Sequence, residues 1–262
     1  MTRSNRRGFT LISLLIIMAM IVFVLGLLIP AVVRNRQAAS RLHCMGNFKQ
    51  ITLATINCAD TYKGNLPPSV GSFPPQDKTF GTMFFHILPF VEQNDLYQQA
   101  KGHPSNNGTW SVPIRVFLCP ADPSASPDHR FKGWLATSSY AANYLVFKQG
   151  GSRFPASFRD GTSNTIMFSE RYQVCHGQPT AWGYSAVYTW APMFMYYNQG
   201  KFQSLPNQQH CNPTLTQSPH RDGICVGMAD GSVRFVSDHV SPETWYHAST
   251  PAGGEPLGND FN

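Results

Sequence analysis

The chain begins with a short basic stretch and then turns apolar for longer than a soluble helix needs. Residues 14–33 carry no charge and no strongly polar group. A helix rises about 1.5 Å per residue and a bilayer core is roughly 30 Å thick, so a run of about twenty apolar residues spans it. A secretory signal has a shorter apolar core, about 7–15 residues, followed by a small-residue cleavage site. The pattern therefore predicts a retained anchor. After it the periodicity changes but does not stop. Ala38, Leu42, Met45, Phe48 or Lys49, Thr52 and Ile56 recur at three- or four-residue spacing with polar residues between them. The helix should end near residues 61–64, where Gly64 and then Pro67-Pro68 supply stop signals. This gives one helix of about fifty residues, half of it apolar throughout and half amphipathic. The amphipathic half needs a surface to cover its stripe, and the rest of the chain is the obvious partner.

Beyond residue 75 the signals are shorter. Residues 82–97 have helical spacing (Phe85, Leu88, Val91, Leu96) interrupted by Pro89. Residues 114–118 form a brief apolar run closed by a Cys119-Pro120-Ala121-Asp122-Pro123 turn. Residues 140–147 and 165–168 read as strands. Residues 182–190 alternate, placing Trp182, Tyr184, Ala186, Tyr188 and Trp190 on one side. A hairpin is expected over residues 224–237. Asp230-Gly231 is a favoured two-residue turn pair, which would set Met228 opposite Val233 and Val226 opposite Phe235 on a core face. Gly227 and Cys225 would then lie on a face nearer solvent. The fold class expected is α+β, with the outer half of the long helix packed on a mainly antiparallel sheet.

Composition changes this picture little. The 262 residues suffice for the anchor and one sizeable domain. Gly and Pro are numerous (21 and 20) and charged residues are 13%, which fits a domain rich in turns. The formal charge of +6 invites a nucleic-acid reading. Three arginines, however, lie in residues 1–8, and without them 17 basic residues face 14 acidic ones. The excess then gathers beside the apolar run, at Arg34, Arg36, Arg41 and Lys49, a pattern that suits phospholipid headgroups better than a nucleic-acid groove. Arg3, Arg6 and Arg7 should stay cytoplasmic, which puts residue 34 onward outside. All six cysteines (Cys44, Cys58, Cys119, Cys175, Cys211, Cys225) lie beyond the run, in a compartment where disulfides persist. Six cysteines allow fifteen complete pairings and the sequence does not choose among them. No Cys-x-x-Cys pair, His-Glu-x-x-His motif, Gly-x-Ser-x-Gly elbow, phosphate loop or dinucleotide fingerprint occurs, so the sequence does not read as an enzyme.

Several motifs carry candidate chemistry. Arg7-Gly8-Phe9-Thr10-Leu11 joins the basic start to the apolar run. The others are Cys44-Met45-Gly46-Asn47-Phe48-Lys49-Gln50-Ile51, Phe117-Leu118-Cys119-Pro120, Asp160-Gly161-Thr162-Ser163-Asn164-Thr165, and His220 followed after nine residues by Asp230-Gly231. His220 could centre an acid–base or metal site with Asp222 or Asp230, or it could cap backbone groups at a strand entrance. Asp160, Thr162 and Asn164 could offer oxygens to Ca²⁺, or form a hydrogen-bonded turn. The Trp182, Tyr184, Tyr188 and Trp190 side chains could stack on sugar rings or a partner, or could be the sheet face that covers the helix.

In this order the motifs resemble the pseudopilin-like proteins of planctomycetes, over residues 7 to about 236. The first motif looks like the prepilin-type cleavage and methylation signal. The resemblance implies that a prepilin peptidase cuts after Gly8 and methylates Phe9. It implies a leader at residues 1–8, a membrane helix at 9–33, its extracytoplasmic continuation at 34–63 and an α+β domain of type IV pilin-like form at 64–262. It implies a single-pass protein of the inner membrane whose N-terminus is cytoplasmic before processing. The partners implied are the peptidase, the lipid bilayer and other pseudopilins of a type II secretion or type IV pilus-like system, with no nucleic acid and no cofactor beyond the Ca²⁺ option. The alternative is an anchored extracytoplasmic module that binds glycans or envelope partners. Ser13 stands where the family usually has a glutamate that meets a neighbouring subunit's N-terminal amine in lipid. Serine offers a hydrogen bond there but no charge.

Overall fold

The computed structural model describes residues 11–75, 78–148, 151–184, 189–197 and 199–261, without the side chains at 27, 30, 31, 33 and 34. Gly8, Phe9 and Tyr188 lie outside that set. The chain divides into two compact units, Met1–Ser40 and Arg41–Asn262. One helix, α1 (Leu11–Thr61, 51 residues), enters both. In the first unit its large apolar side chains are exposed, from Leu11 at 79% through Phe23 at 69% to Val32 at 61%. Among the described residues no helix is long and apolar enough to cross a membrane. The uncharged run of residues 14–33 includes positions whose side chains are outside that set.

α1 ends where the sequence places its stop, and the capping geometry shows why. Lys63 takes the left-handed conformation (φ 57°) and Gly64 follows it (φ 85°). Gly64 N donates to Ala59 O and Lys63 N to Asp60 O, the paired bonds of a Schellman cap. A side chain at Gly64 would place its first carbon 2.8 Å from Phe154 O, so glycine is required there on two counts.

The second unit is built on a five-stranded sheet. Its strands are β1 (Tyr140–Asn143), β2 (Ile166–Glu170), β3 (Met193–Phe194), β4 (Gly223–Met228) and β5 (Val233–Ser237). The spatial order is β5-β4-β2-β1-β3, antiparallel throughout except for the β1–β3 pair. One face carries the larger core, in which Phe48 and Ile51 of α1 join Phe84, Phe117, Tyr140, Phe168 and Cys225. The other face carries Ile166, Ile224, Val226, Met228 and Val236, closed by Trp245 and Ala248 of the C-terminal helix α2 (Pro242–Ser249) and by Phe261. Ser241 caps α2 by accepting from Thr244 N. The sheet is therefore a middle layer. Every residue of β1, β2 and β4 is buried, as expected of strands covered on both sides.

Three sequence expectations change here. The hairpin exists, but its register is one residue off the two-residue-turn reading. Gly227 pairs with Val233, Val226 with Arg234 and Cys225 with Phe235. The loop has three residues, Ala229 to Gly231, with Gly231 left-handed (φ 81°), the arrangement of a type I turn plus bulge. A one-residue slip exchanges faces. The slip moves Val236 to the face of Ile224 and Val226; Gly227 and Cys225 stay on the opposite face, which is buried against α1 rather than turned to solvent. Secondly, the buried stripe of α1 is rotated from the one read off hydrophobicity. Phe48 and Thr52 are buried as expected, but Leu42 is exposed and Ile56 half-buried, and Asn47 and Thr55 are buried instead. The two threonines satisfy their hydroxyls on α1 itself, at Phe48 O and Ile51 O, so they pack as apolar side chains would. Thirdly, the described ends of residues 182–190 are turns rather than a strand. Gly183 packs closely on Pro104 and Trp110, which bends the chain there.

Gly227 is where α1 comes closest to the sheet. A first side-chain carbon there would lie 2.5 Å from the Thr52 methyl and 3.4 Å from Phe48. Gly227→Ala is expected to cost about 1–3 kcal/mol by overpacking. Adding Thr52→Ser, which removes the methyl, should recover most of it in urea unfolding. A Gly227→Ala protein as stable as the parent would show that the helix is not seated this tightly.

Candidate functional site

The motif in the outer half of α1 turns out to be its docking face. Cys44, Asn47 and Phe48 are three and four residues apart, hence on one side of the helix. Cys44 forms a disulfide with Cys119 across 75 residues of chain. Asn47 Nδ2 donates to Leu118 O at 2.9 Å and to Tyr140 Oη at 3.0 Å. Phe48 packs edge-on to the Tyr140 ring at 4.6 Å. Burial holds the Tyr140 phenol well above its usual range. One turn of helix therefore fixes the Phe117-Leu118-Cys119-Pro120 segment by a covalent bond and a hydrogen bond.

His220 belongs to the same centre. Its Nε2 lies 2.9 Å from Glu170 Oε1 and 3.9 Å from Cys119 Sγ. All four of Cys44, Cys119, Glu170 and His220 are buried, with their ligand atoms within 4.8 Å of one another. The carboxylate is held from behind, since Oε2 accepts from Cys225 N at 3.0 Å and Ser218 Oγ at 3.2 Å. Ser218 Oγ also accepts from His220 N, which fixes the approach to β4. Oε1 faces His220. Three of the motifs that stand out in the sequence thus converge on one buried cluster.

The partners that sequence reasoning offered for His220 are elsewhere. Asp230 caps its own turn by accepting from Ser232 N at 2.8 Å. The actual partner, Glu170, lies fifty residues upstream at the end of a buried strand. Its signal was available, since Glu170-Arg171 is a charged pair closing an otherwise apolar run. Arg171 points away and is also buried. Its guanidinium donates to four carbonyls: Ala191 O (3.0 Å), Met193 O (2.7 Å), Thr189 O (2.9 Å) and Pro213 O (2.6 Å). Burial pulls its pKa down to about 10, so it remains charged at neutral pH. Asp122 in the turn after Cys119 is held by Ser124 N, Ser124 Oγ, Ser139 Oγ and Gln173 N. Burial nonetheless raises its pKa, outweighing those hydrogen bonds.

The remaining motifs form a second junction. Lys49 Nζ donates to Gly231 O at 2.7 Å, tying α1 to the hairpin loop. Asp230 N donates to Thr162 O and Ala229 N to Thr165 O, tying the loop to the Asp160 segment. The Asp160 carboxylate accepts from Gly254 N (2.9 Å) and Gly253 N (2.7 Å), and Asn164 Nδ2 donates to Asp160 O. These are the bonds of a structural turn that also anchors the C-terminal segment. Asp160 and Asn164 line a cavity of about 360 Å³ with Arg159, His247 and Glu255.

The aromatic residues separate. Trp182 is fully buried and donates from Nε1 to Val112 O. Tyr184 and Trp190 pack together at 5.3 Å and join Trp110 and Trp134, which the sequence reading had passed over. Trp134 is 41% exposed. The six cysteines resolve into Cys44–Cys119, Cys175–Cys211 and two free buried thiols, Cys58 and Cys225. Burial pushes the Cys58 thiol up to about 12 and raises Cys225 too, so neither is a nucleophile at neutral pH.

A family model described as "Protein of unknown function (DUF1559)" matches residues 34–243, most of the chain, and the chain belongs to that family. No curated protein matches, and no solved structure matches.

Proposed function

We propose that this DUF1559-family chain is a membrane-anchored, extracytoplasmic pseudopilin-like protein with a structural or assembly role and no catalytic activity of its own. On this reading it is cleaved after Gly8 by a prepilin peptidase and methylated on Phe9. The observation that carries the proposal is the contrast between the units. In the first, large apolar side chains are exposed along α1 from Leu11 to Val32, a contiguous apolar surface of the kind that marks a partner or a membrane. The second has buried cores on both faces of its sheet. The family match begins at residue 34, where the uncharged run gives way to Arg34 and Arg36. Lipid, or neighbouring anchor helices within it, is the partner such a segment fits. Two disulfides beyond the run support an oxidising compartment for the domain. The test is mass spectrometry of the mature N-terminus from the native host. The expected species starts at methylated Phe9, and an intact Met1 or Thr2 start would reject the route.

A second reading rests on the Trp110, Trp134, Tyr184 and Trp190 cluster, whose partial exposure would suit an anchored module that binds glycans or envelope partners. Under it, Trp134→Ala lowers retention on envelope polysaccharide while thermal unfolding is unchanged. Equal retention of parent and variant would dispose of this reading.

A further inference from the structure

We propose that, when the Cys44–Cys119 bond is reduced, the two cysteine sulfurs, His220 Nε2 and Glu170 Oε1 bind one Zn²⁺ ion, so that crosslink and metal are alternative fillings of one buried site. Two sulfurs, one imidazole and one carboxylate are all ligand types that Zn²⁺ takes, and they number the four of a tetrahedral site. With metal–ligand distances of about 2.0–2.3 Å, tetrahedral ligands sit roughly 3.3–3.8 Å apart. The His220–Glu170 separation of 2.9 Å and the Cys119–His220 separation of 3.9 Å bracket that range. The four ligands come from α1, the segment after Phe117, the end of β2 and the entrance of β4, so the site is assembled by the fold.

Two further observations favour a ligand. A neutral disulfide has no need of a charged neighbour, and a buried Glu–His pair carries a desolvation penalty that its mutual attraction offsets only in part. A divalent cation would give both groups a purpose. The carboxylate is also prearranged: Cys225 N and Ser218 Oγ occupy Oε2 and leave Oε1 aimed at the cluster. Such outer hydrogen bonds are what orient metal ligands in established sites.

The chemistry balances with a dithiol as reductant. It supplies two electrons and two protons, the Cys44–Cys119 bond breaks to two thiols, and the dithiol closes to its own disulfide. Binding of Zn²⁺ then releases the two thiol protons to solvent. The reverse needs a disulfide oxidant, which accepts the two electrons as the ion leaves.

The test uses the full-length protein in detergent, reduced with a phosphine under nitrogen and titrated with Co²⁺ as a spectroscopic stand-in. The expected result is one equivalent bound, with thiolate-to-cobalt charge-transfer bands and the visible bands of a tetrahedral ion, and none with the oxidised protein. His220→Gln and Glu170→Gln each remove a direct ligand and should weaken binding by at least the roughly 10–100-fold that loss of an outer hydrogen-bond partner costs. The bands should vanish in Cys44→Ser/Cys119→Ser and persist in Cys175→Ser/Cys211→Ser. Circular dichroism identifies any variant that fails to fold, and the oxidised parent then serves as the folded control. Absence of bands in the reduced parent, or their dependence on Cys175 and Cys211, overturns the proposal.

Discussion

Arg171→Met lowers the stability of the Arg41–Asn262 unit by about 3–5 kcal/mol, because a charged donor is lost and buried carbonyls are left unpaired. Four carbonyls depend on this guanidinium, two of them, Ala191 O and Met193 O, at the edge strand β3. The other two, Thr189 O and Pro213 O, belong to flanking loops. Hydrogen bonds from a charged donor contribute about 1.5–3 kcal/mol each, and an acceptor left unpaired in the interior adds its own penalty. Methionine restores apolar volume and removes every donor, so the loss isolates the hydrogen bonding. Lysine keeps the charge but is a single point donor rather than a planar fork, and should recover only part of the loss. Urea unfolding of the full-length protein in detergent, followed by tryptophan emission, measures both. A methionine variant within about 1 kcal/mol of the parent would mean that the four carbonyls find other donors.

Removing the Cys44–Cys119 crosslink has an effect of similar size. Joining residues 75 apart lowers the entropy of the unfolded chain enough to stabilise the fold by about 4 kcal/mol in the chain-entropy account. Cys175–Cys211 spans 36 residues, and the same account assigns it only slightly less, because the dependence on loop length is logarithmic. What separates the two is their surroundings. Cys44 and Cys119 are packed into the main core, whereas Cys175 and Cys211 share a small satellite cluster with Tyr172. Cys44→Ala/Cys119→Ala should therefore lose the crosslink and also loosen the seat of α1, exceeding the loss in Cys175→Ala/Cys211→Ala. Guanidinium unfolding of both double variants makes the comparison. Equal losses would show that chain entropy alone decides, and that the buried pair has no packing role.

The sequence was informative wherever a signal is local. The continuous helix and its stop at residues 61–64 follow from spacing and from glycine chemistry, and α1 ends at Thr61. The hairpin was legible from Asp230-Gly231 between apolar runs, as were the strands near residues 140 and 166. The register was not. Two- and three-residue loops share the same glycine signal, and both faces of β4 are buried, so no polar face marks the register. The buried stripe of α1 misled for a related reason. Asn47 and Thr55 look solvent-facing by residue type, yet each has its polar atom satisfied within the fold.

By itself the sequence determined the long helix and its stop, the hairpin and the strands near residues 140 and 166, the α+β class, the apolar segment ahead of residue 34 and the cysteine count. It also marked the positions that matter, since the motifs containing Cys44, Cys119 and His220 all meet in the core. Only the tertiary structure decided which cysteines pair, that Glu170 rather than Asp222 or Asp230 faces His220, and that Trp182 is core while Tyr184 and Trp190 join Trp110 and Trp134. The physical reason is range. Helix periodicity, caps and turns are set by residues a few positions apart. A pairing across 75 residues or a His–Glu contact across fifty depends on which surfaces are buried together, and that is settled when α1 closes over the sheet.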